Sequence, residues 1–464
     1  MIDDLRLHAG REPGPRAGGD LVLYWMQTTH RAHDNFALDF AVEQADSLRV
    51  PVLVYHGLRP DYPWASDRLH TFILEAVVDL YDAFAARGIQ YAFYLDPGEG
   101  RRPARSPLVE LAERAALVVT DYFPTFIVPR QVRALRRKVE TPVIAVDSCT
   151  VVPMRHLDRA FSSARAIRPV LHAALPRYLR RSPGPEPRDR RPVALPFEPL
   201  VPTAASIPAT VAGVPIDHAV PPAREIRGGT EAGRRRLADF LARGLPRYAE
   251  SRGDPNDEHA TSRLSPYLHF GNLSPHEVLL AARDAGPAAQ FEKFQDEALV
   301  WRELAYNFVH HDPKHRTTEA VPGWALEELR KGEADPRPAL YAEADLEYAR
   351  TGDELWNAAQ RAYLVDGWMH NTLRMLWGKA ALMWTSDAAE CLRILEHLNN
   401  KYSLDGRDPA TYGGIHWIFG KFDRPFYRRP IYGTVRYQSL RAAAGKFDTG
   451  AYISRHAQAV LAME

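Results

Sequence analysis

Residues 261–271 read Thr-Ser-Arg-Leu-Ser-Pro-Tyr-Leu-His-Phe-Gly and combine hydroxyls, a cation and a helix-start signal. Ser265 is a favourable N-cap, Pro266 suits the first helical position and Gly271 can end the turn. The hydroxyls of Thr261, Ser262 and Ser265, with Arg263 and the free N–H groups of such an end, would bind phosphate; a plain cap would use the same residues. Glu297 and Trp301 stand four apart, hence on one helical face, where an acid beside an indole can hydrogen-bond and stack on a base-like ligand. An amphipathic helix that buries Trp301 in its core has the same pattern.

Trp356, Trp377 and Trp384 form a third set, with Trp377 and Trp384 two helical turns apart, a rise of about 10 Å. Such indoles either relay electrons or simply pack. Arg374 lies in an otherwise apolar helix, and a cation there needs a carboxylate, for which Asp405 in the turn-rich segment 399–409 is the candidate. Lys421, Arg424, Arg428, Arg429 and Arg436 against Asp423 leave a local charge of 5 − 1 = +4, interleaved with Trp417, Phe422, Phe426, Tyr427, Tyr432 and Tyr437. Basic residues among aromatics suit phosphates and unstacked bases. The histidines at 310, 311 and 315 have no acid partners in metal-ligand spacing, and Pro313 breaks the helix, so a solvated helix end is expected rather than a metal site.

The elements that must carry these groups fall into two kinds. Residues 21–27, 50–58, 89–95, 117–123 and 142–149 are short runs rich in Val, Ile, Leu or Tyr, as strands buried on both faces would be. Helical stretches lie between them, clearest at 34–48 and 67–87, which implies right-handed crossovers and a doubly wound parallel sheet. The turn after the first strand lacks G-x-G-x-x-G, which argues against a nicotinamide dehydrogenase. No P-loop and no G-x-S-x-G occur. Residues 181–225 are Pro-rich and read as a connector. Helical periodicity then dominates at 231–243, 274–285, 287–311, 353–385 and 388–400. The expected organisation is an α/β domain at 1–180, a linker at 181–225 and an all-α domain at 226–464.

The 464 residues carry 59 Lys+Arg and 58 Asp+Glu, a formal charge of +1, so a globally basic nucleic-acid coat is excluded while a local basic face is not. Cys149 and Cys391 alone rule out a disulfide scaffold, a four-cysteine zinc site and a cysteine-bound cluster, and point to the cytoplasm. The first twenty residues hold no apolar signal core, and the uncharged run 199–216 carries prolines that bar a spanning helix.

Several motifs in order then carry a resemblance. Residues 24–41, 118–124 and 164–169 in the first half, and 261–271, 300–308, 355–360, 373–385 and 398–409 in the second, resemble the photolyase/cryptochrome family, specifically class II cyclobutane pyrimidine dimer photolyases. The resemblance implies a light-dependent repair enzyme, a carbon–carbon lyase, with FAD in the helical domain working in its reduced anionic form. It also allows an antenna chromophore such as 8-hydroxy-5-deazaflavin in the α/β domain. It implies that Tyr248 and Thr261, Ser262, Arg263, Leu264 and Ser265 contact the flavin diphosphate region. Arg374, Asp405 and the adjoining Gly406 would lie beside the isoalloxazine, with Asn399 facing its N5. Trp377, Trp356 and Trp384 would form the photoreduction chain. Glu297, Trp301, Met375 and Trp417 would contact a flipped dimer, and Arg252 and Arg436 the phosphates or the space the dimer vacates. The implied partner is damaged DNA met by a monomer in the cytoplasm, without a membrane. A cryptochrome-like photoreceptor on the same scaffold is the alternative. The chain departs from the class II pattern at Asn371, where Gly is usual, at Ala410-Thr411, and in a shortened basic loop with Phe426 and Tyr427 where Trp is common.

Overall fold

The computed structural model describes residues 2–8, 14–182 and 184–457. Six strands, β1 (Leu7–His8), β2 (Val22–Met26), β3 (Val52–Leu58), β4 (Gln90–Leu95), β5 (Leu117–Asp121) and β6 (Val143–Val146), form one sheet in the order β1-β6-β5-β2-β3-β4. All neighbours run parallel except β1, which pairs antiparallel with β6 through Leu7–Val146 and His8–Ala145. β2 is the hinge of the topology: Tyr24 pairs with Val54 on one side and Val119 on the other. β2 and β5 are buried along their whole length, which is why β2 and the first three residues of β5 are apolar without alternation, while the buried Asp121 at the end of β5 accepts from the Tyr24 hydroxyl and the Gln27 N–H. The strand ranges expected from sequence hold to within a few residues; the two-residue edge strand β1 was not expected.

Helix Phe36–Leu48 follows β2 and starts where the Asn35 side chain accepts from the Leu38 N–H at 3.1 Å. Helix Asp67–Ala86 follows β3. Beyond it, the described residues of 181–225 contain one short helix, Ile207–Ala212; the Leu200 N–H donates to the Phe93 carbonyl at 3.0 Å, while Val220 packs into the helical half.

The described residues after 225 form helices and no named strand. The helical stretch expected at 353–385 is two helices, Glu354–Asp366 and Asn371–Trp384. Gly367 stops the first with a φ of 65°, and a Cβ there would come within 3.1 Å of the Arg68 Cδ. The stretch expected at 287–311 is also interrupted: helices Ala288–Gln295 and Arg302–His311 are joined by a π turn at Asp296–Trp301.

One buried apolar cluster runs from the sheet through Phe240, Leu245, Tyr248, Leu264 and Leu299 to Tyr306, while a second is built around Trp356, Trp377 and Leu395. The halves are also tied by polar groups. The Arg68 guanidinium donates to the carbonyls of Tyr363 and Tyr402 at 2.7 Å and of Leu364 at 2.7 Å, capping the ends of two helices from across the molecule. Glu303 accepts from the Val151 N–H at 2.5 Å, and burial pushes its pKa up to about 8 despite those backbone donors and Arg302. The histidines expected at a solvated helix end are bonded instead. His310 Nδ1 meets the Tyr122 hydroxyl at 2.6 Å, His311 Nε2 the Leu157 carbonyl at 2.7 Å and His315 Nε2 the Thr125 hydroxyl at 2.8 Å.

Candidate functional site

Helix Asn371–Trp384 sets Arg374, Met375 and Trp377 along its first two turns, and helix Ala388–Tyr402 brings Asn399 to its last. The turn that follows carries Asp405. One Arg374 terminal nitrogen lies 3.1 Å from both Asp405 carboxylate oxygens, and the hydroxyls of Ser403 and Ser265 bond the same carboxylate. Burial alone would raise the Asp405 pKa, but Arg374 and the two hydroxyls outweigh it and hold the group below its ordinary value. Burial would likewise lower Arg374, and Asp405 with Tyr363 keeps it above the ordinary value. The result is a fixed buried ion pair. Gly406 allows this turn, since a Cβ there would stand 2.7 Å from the Asn399 carbonyl.

The sequence places Ser265 as a cap; the structure does not. Leu264 is the N-cap of the short helix Ser265–His269, no side chain caps it, and the Ser265 hydroxyl turns to Asp405. Arg263 adopts a left-handed φ of 53° and lays its guanidinium 4.9 Å from the Trp368 ring centroid. Arg236, a residue the sequence did not single out, pins this loop by donating to the carbonyls of Ser262 and Thr261 at 2.9 Å each. Tyr248 is buried against Phe240 and Phe294.

Asn399 Oδ1, Arg374 Nε and Arg263 Nε are buried without a protein partner. Buried polar atoms are ordinarily satisfied, so an acceptor amide oxygen and guanidinium N–H donors left unpaired fit a polar ligand. FAD meets that description: its ring edge offers a donor and acceptors, and its diphosphate suits Arg263.

The three indoles are in contact. Trp377 and Trp356 stack with ring centroids 6.0 Å apart, and Trp384 meets Trp356 edge-on at 5.6 Å. Trp377 Nε1 donates to Gln360 Oε1 at 3.0 Å. Tyr341, again not singled out by the sequence, continues the series at 5.3 Å from Trp384.

Glu297 and Trp301 lie at the beginning and end of the π turn, whose wider pitch replaces the α-helical spacing assumed from sequence. Glu297 pairs with Arg252 at 2.7 Å and Lys293 at 2.8 Å. Trp417, near the end of helix Pro409–Ile418, has the Arg436 guanidinium 5.4 Å from its ring centroid. Arg436 in turn binds Asp423 at 2.7 and 3.0 Å. Arg428 pairs with Glu328 at 2.8 Å and Lys421 donates to the Ala320 carbonyl at 2.9 Å, so the basic loop is less free than its local charge implies. Tyr427 stands almost wholly exposed at 94 %.

A separate cavity of about 370 Å³ opens at the carboxyl ends of β2–β5, lined among others by Gln27, His30, His56, Tyr94, Phe126 and His269. This is the topological switch point, between β2 and β5, where open parallel sheets bind ligands.

The DNA photolyase family model matches residues 22–188. A deoxyribodipyrimidine photo-lyase of Methanothermobacter thermautotrophicus is 35 % identical over 96 % of this chain and 96 % of its own. The chain belongs to the DNA photolyase family. The Arabidopsis thaliana deoxyribodipyrimidine photo-lyase is 34 % identical, covering 93 % of this chain and 88 % of that one. The fold is shared with a class III photolyase of Agrobacterium tumefaciens (TM-score 0.67, 20 % identity, 94 % and 86 % of the two chains). It is shared too with a Synechocystis cryptochrome (TM-score 0.69, 16 % identity, 96 % and 89 %). No described helix of this family member is long and apolar enough to cross a membrane.

Proposed function

We propose that the chain is a class II deoxyribodipyrimidine photo-lyase that splits cyclobutane pyrimidine dimers in DNA with light. The observation that carries the mechanism is the contiguous series Trp377–Trp356–Trp384, of which Trp377 and Trp384 lie on the helix that bears Arg374 of the Arg374–Asp405 pair. When bound, reduced FAD supplies on blue-light excitation the electron that opens the cyclobutane ring, and receives it back.

The residues of this chain have the remaining tasks. Arg374, Asp405, Asn399 and Gly406 would hold the flavin ring, with the cation favouring its anionic form and the unpaired Asn399 oxygen accepting an N–H. Tyr248 and the 261–265 loop would take the diphosphate side. Trp377, Trp356 and Trp384 would return the flavin to its reduced state. Glu297 would hydrogen-bond the pyrimidine edge; Trp301, Trp417 and Met375 would form the apolar wall of the lesion pocket. Arg252 and Arg436 would meet phosphates or fill the duplex position left by the extruded dimer, a step made cheaper by the lesion's weak stacking. The cavity at the sheet's carboxyl end is the proposed antenna site, of a size and aromatic lining that suit a deazaflavin. Residues 181–225 would join an antenna half to a flavin half.

The test is blue-light repair of an oligonucleotide with one thymine dimer by purified protein under reducing conditions. Restoration of the pyrimidines is expected, and no turnover with fully reduced flavin bound overturns the reading. An absorption band beyond those of flavin would identify an antenna.

A further inference from the structure

Lys379 is wholly buried in helix Asn371–Trp384, an unusual place for an amine. Its Nζ donates to the Ile418 carbonyl at 2.6 Å and lies 5.1 Å from the Trp417 ring centroid. Ile418 is the last residue of the helix that carries Trp417, so one ammonium holds both the helix end and the indole beside it. The contact is tight: a Cβ on Gly378 would fall 2.0 Å from Ile418 Cδ1, and the Tyr432 hydroxyl fixes the Lys379 carbonyl at 2.6 Å. Among the described residues no carboxylate forms a salt bridge with Lys379, whereas Arg436, the second cation on the same indole, is paired with Asp423.

We propose that Lys379 is a positioning residue for dimer binding: it fixes the plane of the Trp417 indole, while Arg436 on the same ring is held by Asp423. The proposal rests on the reading of Trp417 as part of the lesion-pocket wall. A buried cation otherwise unpaired has a cost that selection for packing alone would remove by a methionine, and the ring contact gives it a task. Around the amine, Asp423 favours its charge, Arg436 disfavours it and the Cys391 thiol lies behind it. Burial dominates and brings its pKa down to about 7, so the ring loses its cation as the solution turns alkaline.

The experiment measures affinity of the flavin-loaded full chain for an oligonucleotide with one thymine dimer and for its undamaged twin. Lys379→Met is expected to weaken dimer binding about five-fold, a cation–π contact's worth, with the bound flavin spectrum unchanged. In a Trp417→Ala background the same change should weaken binding markedly less. An equal loss in both backgrounds overturns the role of Lys379 alone. Trp417→Ala without effect overturns the lesion-wall reading and this role with it. If Lys379→Met does not retain flavin, Lys379→Arg decides. Dimer preference of the native chain should fall from pH 6 to 8.5 and that of the arginine variant should not; parallel profiles overturn the proposal.

Discussion

The Trp356 indole lies within 11° of parallel to that of Trp377 and donates its Nε1–H to the Trp377 carbonyl oxygen at 2.9 Å. Ring and hydrogen bond together fix two helices, Glu354–Asp366 and Asn371–Trp384, at one spacing. Trp377→Phe should therefore abolish light-driven reduction of oxidised flavin while leaving repair by chemically reduced protein intact. Flash absorption with and without dithionite checks both halves, and undiminished photoreduction would remove the assigned chain.

Glu297 neutralises Arg252 and Lys293 before any DNA arrives. Glu297→Ala is expected to lower repair per photon about ten-fold, the loss of one charged hydrogen bond, with bound FAD retained. The two released cations should also tighten binding to undamaged duplex at low salt, steepening log K against log[salt] by about 0.9 per phosphate gained. Release of FAD by this variant would reassign Glu297 to cofactor binding.

Arg68 meets three carbonyls in the helical half and that of Pro221 at 3.0 Å, with no carboxylate bonded to it among the described residues. Arg68→Met would strand these acceptors in the interior, at about 3 kcal/mol of stability. Urea unfolding followed by far-UV circular dichroism measures it; a midpoint equal to the parent's would contradict the account.

Glu303 has a folded-state pKa of about 8, above the 4.5 of the free side chain. A raised carboxyl pKa means that the folded chain holds a proton that the unfolded chain has released. Its contribution is complete below pH 4.5 and is lost as pH rises through 8. Stability relative to Glu303→Gln should thus decline between pH 5 and 8, read from thermal midpoints across that range. A constant difference would show that Glu303 stays ionised.

Much of this was legible in the residues. The parallel strands declare themselves because both faces are covered, so β2 is an unbroken apolar run and β3 and β5 open on apolar runs of three or more residues. The Arg374–Asp405 pair follows from a cation in a largely apolar helix, whose other cation, Lys379, the sequence did not single out. What escaped had no local signature. A π turn such as Asp296–Trp301 preserves composition while shifting every later side chain on the helix. Ser265 has the type of a cap, yet a tertiary acceptor, Asp405, competes for its hydroxyl and wins. His310, His311 and His315 look solvated because their partners Tyr122, Leu157 and Thr125 lie more than a hundred residues away. The cavity at the sheet's carboxyl end draws a few residues from each of several loops, which no single window of sequence collects.

The apolar cluster shared between the sheet and the helices from Phe240 to Tyr306 bears on any attempt to dissect the molecule. Severing the chain near residue 225 would lay bare the inner sides of both pieces at once. Neither piece would then be a free-standing module, and each fragment would need the other in order to stay dissolved.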